Sequence, residues 1–233
     1  MNVEKSVIID FPLRGEWVAP HTPGDKVPSH GTDALGQRFA YDFFRTDTNS
    51  TTKFYKGSKF KYFTIGIPID KCYCYKEAVY SPVDGKVIVV KDGVKEPKRL
   101  NPIRDLLRVV WNSISITIKA LIIPVKKIKL HKYIGNYIII NFGEIYAFFA
   151  HISPGSICVK EGQMIKKGDL LGLVGHTGNS TAPHLHFHLM DSPDLLTAKG
   201  IPCAFKKYDV LIDGEWQSVK NHIPKSNQRI RFK

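Results

Sequence analysis

Residues Gly175 to Asp191 read G-H-T-G-N-S-T-A-P-H-L-H-F-H-L-M-D, and the second half of that stretch decides the fold. His184, His186 and His188 alternate with Leu185, Phe187 and Leu189. On a strand, alternate side chains share a face, so three imidazoles fall on one side and three apolar groups on the other. On a helix, residues two apart diverge and the alternation would serve nothing. T-G-N-S-T-A-P is turn chemistry, and Pro183 pushes Ala182 toward extended backbone, so a strand is predicted to begin just after it. With the apolar face fixed in a core, the other face presents neutral imidazoles, the commonest metal ligand. A solvated strand face would give the same alternation, so the rest of the chain has to decide.

Working outward, 233 residues suit a single domain (1–233) with room for an insertion. The net charge of +13 points to an anionic partner: nucleic acid, acidic lipid or an anionic cell-wall polymer. The first residues, M-N-V-E-K-S-V-I-I-D-F-P, contain no apolar run of signal-peptide length before Asp10. No cleavable signal and no clear transmembrane helix are expected, which leaves a cytoplasmic location as the default and membrane association or signal-less export open. Cys72, Cys74, Cys158 and Cys203 are too few for a disulfide scaffold, and the C-x-C pair lacks a second pair at zinc-site spacing. Buried or idle thiols are expected.

Val7–Phe11 reads as an edge strand, followed by a polar, turn-forming stretch to Gly36. Arg38–Phe44 reads as a strand with Phe39, Tyr41 and Phe43 on one face and Ala40, Asp42 and Phe44 on the other. A carboxylate amid aromatics is costly unless it is paired or binds a cation, so Asp42 stands out. Residues 45–76 read as an exposed loop with one strand at Tyr62–Ile67. Ala78–Val90 reads as strand, Pro-x-Asp-Gly turn, strand, and includes the strand Lys86–Val90. Gly135–Phe142 and Ile145–His151 form a second hairpin around Gly143, and Val159–Val174 brings glycines at regular turns. Short strands with close turns predict an all-β domain, an antiparallel sheet or sandwich.

Residues 96–132 interrupt this pattern. Ile103, Leu106, Leu107, Val110 and Trp111 sit at helical spacing, and Ile114, Ile118, Leu121, Ile122 and Val125 extend the stripe. Lys98, Arg99, Arg104 and Arg108 precede it; Lys126, Lys127, Lys129 and Lys132 follow. The apolar run is short for a membrane span and Pro124 shortens it. Two readings remain: an amphipathic helix lying on an anionic membrane, or one packed on its own domain or a partner.

Taken together, His30, Asp42, His151, His184 and His186 resemble the site of the lysostaphin-type (LytM-like) zinc endopeptidases. Ser180-Thr-Ala-Pro-His-Leu-His-Phe187 is similar to that family's S-T-x-P-H-L-H-F segment. Phe149-Ala-His151-Ile resembles its Y-A-H-L element, Val159–Gly172 its Gly-rich approach, and Ser81-Pro-Val-Asp-Gly-Lys-Val87 its A-x-x-x-G-x-V element. The resemblance covers about residues 28–190, less the insertion. It implies an all-β peptidase fold, one zinc ion held by His30, Asp42 and His186, and His151 and His184 as the catalytic pair. The first pair departs from the family's usual spacing of three intervening residues. His21 is the alternative to His30, and Asp33 is the alternative to Asp42. His188 stands where many relatives carry an acidic residue.

The chemistry stands without the family. Two imidazoles and a carboxylate leave zinc a position for water, whose pKa the metal lowers. His184 is then placed as general base, and His151 as hydrogen-bond donor to the oxyanion. Peptidoglycan cross-bridges or stem peptides are the implied substrate, an anionic membrane surface is a candidate partner through 96–132, and no specific nucleic acid is expected. The competing functions are a catalytically inactive binding module on the same fold and a biotinyl- or lipoyl-type carrier. The carrier needs a lysine presented at a tight hairpin tip, and none is so placed.

Overall fold

The computed structural model describes residues 5–124, 127–226 and 228–232. Val125 and Lys126, which the apolar stripe and its basic flank include, lie outside the described residues, as do the first four residues of the N-terminus. The chain begins with β1 (Val7–Ile9), β2 (Gly15–His21) and β3 (Tyr41–Phe44). Next come α1 (Lys59–Phe63), β4 (Ile67–Pro68), β5 (Ala78–Tyr80), β6 (Gly85–Lys91) and β7 (Arg99–Leu100). The interruption contains α2 (Pro102–Ile122) and α3 (His131–Ile134). Then follow β8 (Asn136–Phe142), β9 (Ile145–Ile152), β10 (Met164–Ile165), β11 (Leu170–Leu173), β12 (Leu185–Met190) and β13 (Gly200–Ile201). β14 (Cys203–Ile212), β15 (Glu215–His222) and β16 (Arg229–Phe232) close the chain.

Twelve strands form one sheet, ordered β1-β14-β16-β2-β3-β12-β9-β8-β6-β10, with β13 added to β12 and β15 to β14. The sheet is antiparallel as predicted, apart from the edge strand β1, which runs parallel to β14. Leu185, Phe187 and Leu189 are fully buried, packed with Tyr41, Phe43, Phe149 and Phe205 on one face of the sheet. His184, His186 and His188 take the other face, beside a smaller apolar cluster that includes Tyr137, Phe148 and Met190. The alternation in the decisive stretch is therefore what seats the strand.

Two strand assignments change. Arg38 and Phe39 belong to a tight helical turn, Ala34–Phe39, and only Tyr41–Phe44 is strand. Leu35 and Gly36 take left-handed backbone there, and Arg38 pairs with Asp33, so the chain turns before it extends. Tyr62–Ile67 is not a strand: Ser58 caps a helical turn over Lys59–Phe63, its hydroxyl accepting from the Phe60 N–H, and only Ile67–Pro68 is extended. The three strands after residue 202 were not expected. They bury Cys203, Phe205, Tyr208, Val210 and Ile230 against the main core.

β6 and β8 pair directly, so residues between them are an insertion into a hairpin. Asn101 caps α2 by accepting from the Arg104 N–H, Pro102 occupies its first turn, and the Asp105 carboxylate accepts from the Asn101 N–H in return. The helix docks by its polar side. Asn101, Asp105, Arg108, Asn112, Ser115 and Lys119 recur at helical spacing and make its contacts to the domain. Ile103, Leu106, Leu107, Val110, Trp111, Ile114, Ile118, Leu121 and Ile122 are exposed. Packing of the apolar stripe against its own domain is thus overturned. Among the described residues no helix is long and apolar enough to cross a membrane.

Candidate metal centre and catalytic histidines

The site is assembled by strand register. His186 lies opposite Asp42 across the β12–β3 pair, and His21 lies opposite Asp42 on the other side, after an irregularity between Val18 and His21. Residues directly opposite in an antiparallel pair share a face, so β2, β3 and β12 bring two histidines to one carboxylate. His186 Nδ1 is 2.8 Å from Asp42 Oδ1, while His30 Nε2 at 2.9 Å and His21 Nδ1 at 2.8 Å approach Oδ2. Burial pushes the Asp42 carboxyl up, but the imidazoles of His184, His186 and His21 outweigh it and hold the group well below the usual carboxylate range. Asp33 pairs with Arg38 on the surface, away from this cluster.

His151 arrives by a different device. One residue before the end of β9 it takes a left-handed backbone, φ +63°, which costs a residue with a Cβ on the order of 1–3 kcal/mol. Phe149 faces the core and Ala150 the site, so regular alternation would return His151 to the core. The turn in the backbone sets it against His184 instead, with ring centroids 4.6 Å apart.

Carbonyl partners fix the proton positions. His151 Nδ1–H donates to the Thr177 carbonyl at 2.8 Å, and His184 Nδ1–H donates to the Ala182 carbonyl at 2.7 Å. Both rings are left with a lone pair on Nε2 in the neutral form. Burial, with help from His184 and His186, pushes His151 well below the ordinary imidazole range, so the neutral form prevails. In that neutral form its Nε2 is an acceptor, so the donor role expected for His151 requires the ring to take up a proton first. Phe44 stacks on His184 at 4.9 Å and holds the ring flat against β3.

His188, whose part the sequence leaves open, is buried with its Nδ1 3.2 Å from His186 Nε2. It stacks on Phe148, and its own Nε2 has no partner among the described residues. His188 Nδ1 and His186 Nε2 are hydrogen-bond partners, and the opposite edge of the His186 ring, at Nδ1, faces Asp42 Oδ1 at 2.8 Å.

The insertion reaches the site through a chain of contacts that sequence reading missed. Arg108, paired with buried Asp105 at 3.5 Å, donates to the Ser180 carbonyl at 2.7 Å and to His176 Nε2 at 3.3 Å. His176 Nδ1–H donates to the Ser180 hydroxyl, which lies 3.2 Å from His184 Nδ1. Asn112 holds Asn179 at 2.6 Å. The helix therefore clamps the loop 175–181 whose carbonyls and hydroxyl orient both His151 and His184. The signal was in the sequence, as Asp105, Arg108 and Asn112 at helical spacing, but the apolar stripe drew the reading to the opposite face.

An open cavity of about 280 Å³ lies over the cluster, lined by His30, Asp42, His151, His184 and His186 and walled on one side by Ile116 and Tyr133. His21 is not part of that lining. The donor atoms of His151, His184 and His186 lie within 4.8 Å of one another, as do those of His21, His30 and Asp42. Imidazole nitrogens around one carboxylate suit zinc in their chemistry, and the fit holds at Asp42, whose two oxygens face His186 on one side and His30 on the other. Cys72 and Cys74 are buried free thiols, Cys74 pushed up to about 12 by burial and donating to the Pro183 carbonyl, and neither lines the cavity.

Comparison with known proteins bears on this arrangement. Residues 117–197 match the model of peptidase family M23. The chain is 44% identical over 61 residues to the peptidoglycan DD-endopeptidase ShyA of Vibrio cholerae, covering 26% of this chain and 14% of that protein. It is 39% identical over 64 residues to ShyB of the same organism, covering 27% and 15%. The match thus spans about one-seventh of those relatives' length. Among solved structures, the catalytic domain of lysostaphin from Staphylococcus simulans aligns with a TM-score of 0.32 and 22% identity, over 63% of this chain and 88% of that one. The catalytic domain of the prophage-encoded M23 protein EnpA from Enterococcus faecalis aligns with a TM-score of 0.35 and 15% identity, over 70% and 73%. Residues 117–197, which carry His151, His184 and His186, are the part of the chain that matches peptidase family M23.

Proposed function

We propose that the chain is a zinc-dependent endopeptidase acting on peptide bonds of peptidoglycan, with His30, Asp42 and His186 holding one zinc ion. The observation that carries the reading is the pair His151 and His184, both tied at Nδ1 to carbonyls and both offering Nε2 to the cavity beside the Asp42 cluster. Zinc, when bound, supplies Lewis-acid polarisation of the scissile carbonyl and lowers the pKa of water. His30 in place of His21 follows from burial and from the cavity lining, with His21 left as an outer partner of Asp42. His188 orients His186.

The two histidines divide the work on the attacking water. His184 Nε2 takes one proton as the water oxygen bonds to the carbonyl carbon, and His151 Nε2 accepts from the other O–H and so aims the oxygen. The proton on His184 then passes to the leaving nitrogen as the C–N bond breaks, which restores the neutral ring. The preset tautomers mean that neither ring must rearrange first. The names of the V. cholerae relatives suggest peptidoglycan as the substrate. The test is release of new amino termini from purified peptidoglycan by zinc-loaded protein. His184→Ala should keep stoichiometric zinc and lose about a hundredfold to ten-thousandfold in rate. Equal rates for the two proteins, or activity in neither, would leave a binding module on the same fold.

A further inference from the structure

We propose that the outward face of α2, with the neighbouring α1 segment, is a docking surface for an anionic lipid bilayer. The inference goes beyond the peptidase reading and does not depend on it. An amphipathic helix on a water-soluble domain ordinarily buries its apolar stripe. Here the polar stripe packs against loop 175–181 and Tyr133, and the apolar stripe of a 21-residue helix faces outward for its whole length, with Trp111 71% and Leu121 82% exposed. The orientation is held by specific contacts, Arg108 to Ser180, Asn112 to Asn179 and Lys119 to Tyr133, so the exposed face is a built feature.

A second exposed apolar group stands beside it. Phe60, Phe63 and Ile65 are all exposed, and their segment is stapled to the start of α2. Asn101 Nδ2 donates to the Thr64 carbonyl, Arg99 Nη2 donates to the Gly66 carbonyl at 2.6 Å, and β4 pairs with β7. Two chain segments distant in sequence thus join in one apolar region, larger than an isolated surface leucine requires.

Charge selects the occupant. Between residues 97 and 143 the only acidic side chain is Asp105, and it is fully buried under Arg108; between residues 48 and 69 there is none. The same stretches carry Lys56, Lys59, Lys61, Lys98, Arg99, Arg104, Lys119, Lys127, Lys129 and Lys132. A ridge of apolar side chains with a cationic margin and no exposed anion complements a plane that is negative at its surface and apolar beneath. Trp111 sits among the aliphatic groups, as an interfacial aromatic does.

The test uses flotation of the full chain with vesicles of phosphatidylcholine alone and of phosphatidylcholine mixed with phosphatidylglycerol. The chain is expected to float with the mixed vesicles and not with the neutral ones. Replacing Leu107, Trp111 and Ile114 together by Gln removes only exposed groups and should abolish flotation while far-ultraviolet circular dichroism stays unchanged. Replacing Lys127, Lys129 and Lys132 by Gln should weaken binding by about fivefold per cation, roughly a hundredfold together. Failure of the native chain to float with the mixed vesicles, or flotation of the Leu107→Gln/Trp111→Gln/Ile114→Gln protein like the native chain, overturns the proposal. A concentration-dependent dimer that the same substitutions dissolve overturns it too, in favour of a second copy of the chain on this face. No readout involves substrate or zinc, so failure here is distinct from failure of the peptidase reading.

Discussion

Replacing Arg108 by Met separates the two faces of α2 most sharply. The substitution keeps the aliphatic stem and removes the guanidinium. The loss orphans the Ser180 carbonyl, leaves His176 Nε2 without its donor and removes one of two guanidinium partners, Arg104 being the other, from the fully buried Asp105 carboxylate. A hydrogen bond from a charged donor is worth about 1.5–3 kcal/mol, and breaking one partner of a buried ion pair costs about 3–5 kcal/mol. Arg108 keeps part of its side chain in solvent and Asp105 retains the Asn101 N–H, so the lower figures apply, and the expected loss is about 3 kcal/mol. Leu107 is one residue away on the exposed side, and Leu107→Gln should stay within about 0.5 kcal/mol of the native protein. The assay is urea unfolding of both variants followed by fluorescence. With a slope of about 2–3 kcal/mol per molar, Arg108→Met should lower the midpoint by about 1 M. Zinc content of the folded variant should remain while peptidase rate drops, because Arg108 touches the loop that orients His184 but no proposed ligand. A Leu107→Gln protein as destabilised as Arg108→Met would refute the inverted docking of the helix.

His188→Ala should reduce zinc affinity by about tenfold to a hundredfold, read by competition with a chelating indicator, since it removes the hydrogen-bond partner that orients the His186 ring. Unchanged affinity would assign His188 to packing alone. Burial pushes His176 below its ordinary value against the pull of Asp105, so its folded pKa lies under the unfolded one; its contribution is complete above about pH 6.5 and is lost as pH falls through that range. Protection factors of α2 amides, corrected for the intrinsic pH dependence of exchange, should therefore fall below about pH 6.5, and constant protection would remove His176 from the clamp. A methyl at Gly178 (φ +69°) would run into the backbone of Ile134 and Gly135, so Gly178→Ala should displace loop 175–181 and depress turnover with zinc retained. Full activity in that variant would show that the loop tolerates the shift.

Much of the fold was legible because its strands are short, alternating and bounded by turn residues. β8, β9 and β12 fall within a residue or two of their expected limits, since each has a buried face whose apolar period leaves one register. Tyr62–Ile67 misled because aromatic and β-branched residues favour strand locally, whereas Ser58 supplies a helix cap. Asp42 could be read as anomalous from its aromatic neighbours alone. The placement of His151 could not be read, because it depends on a backbone angle that breaks the alternation used to read everything else. Which of His21 and His30 faces the cavity was equally hidden, since both contact Asp42 and only the folded course of residues 22–40 brings His30 into the lining.

The register of β3 against β12 has a mechanical consequence. His186 and Asp42 face each other across 144 residues of sequence, and the M23-matched segment, 117–197, contains only the first of them. An ion held by both, as proposed for zinc, would act as a clasp between the amino-terminal strands and the family-like segment. Holding the ends of so long a loop together costs an unfolded chain about 4 kcal/mol, so the metal's grip and the seating of β2 and β3 would be one equilibrium. Withdrawing the ion should loosen the amino-terminal strands before the β8–β9 hairpin, which is zipped by neighbouring residues and needs no clasp. Limited proteolysis of chelated protein would then cut first within residues 22–40, where the chain crosses between the two strands that the ion no longer holds in place.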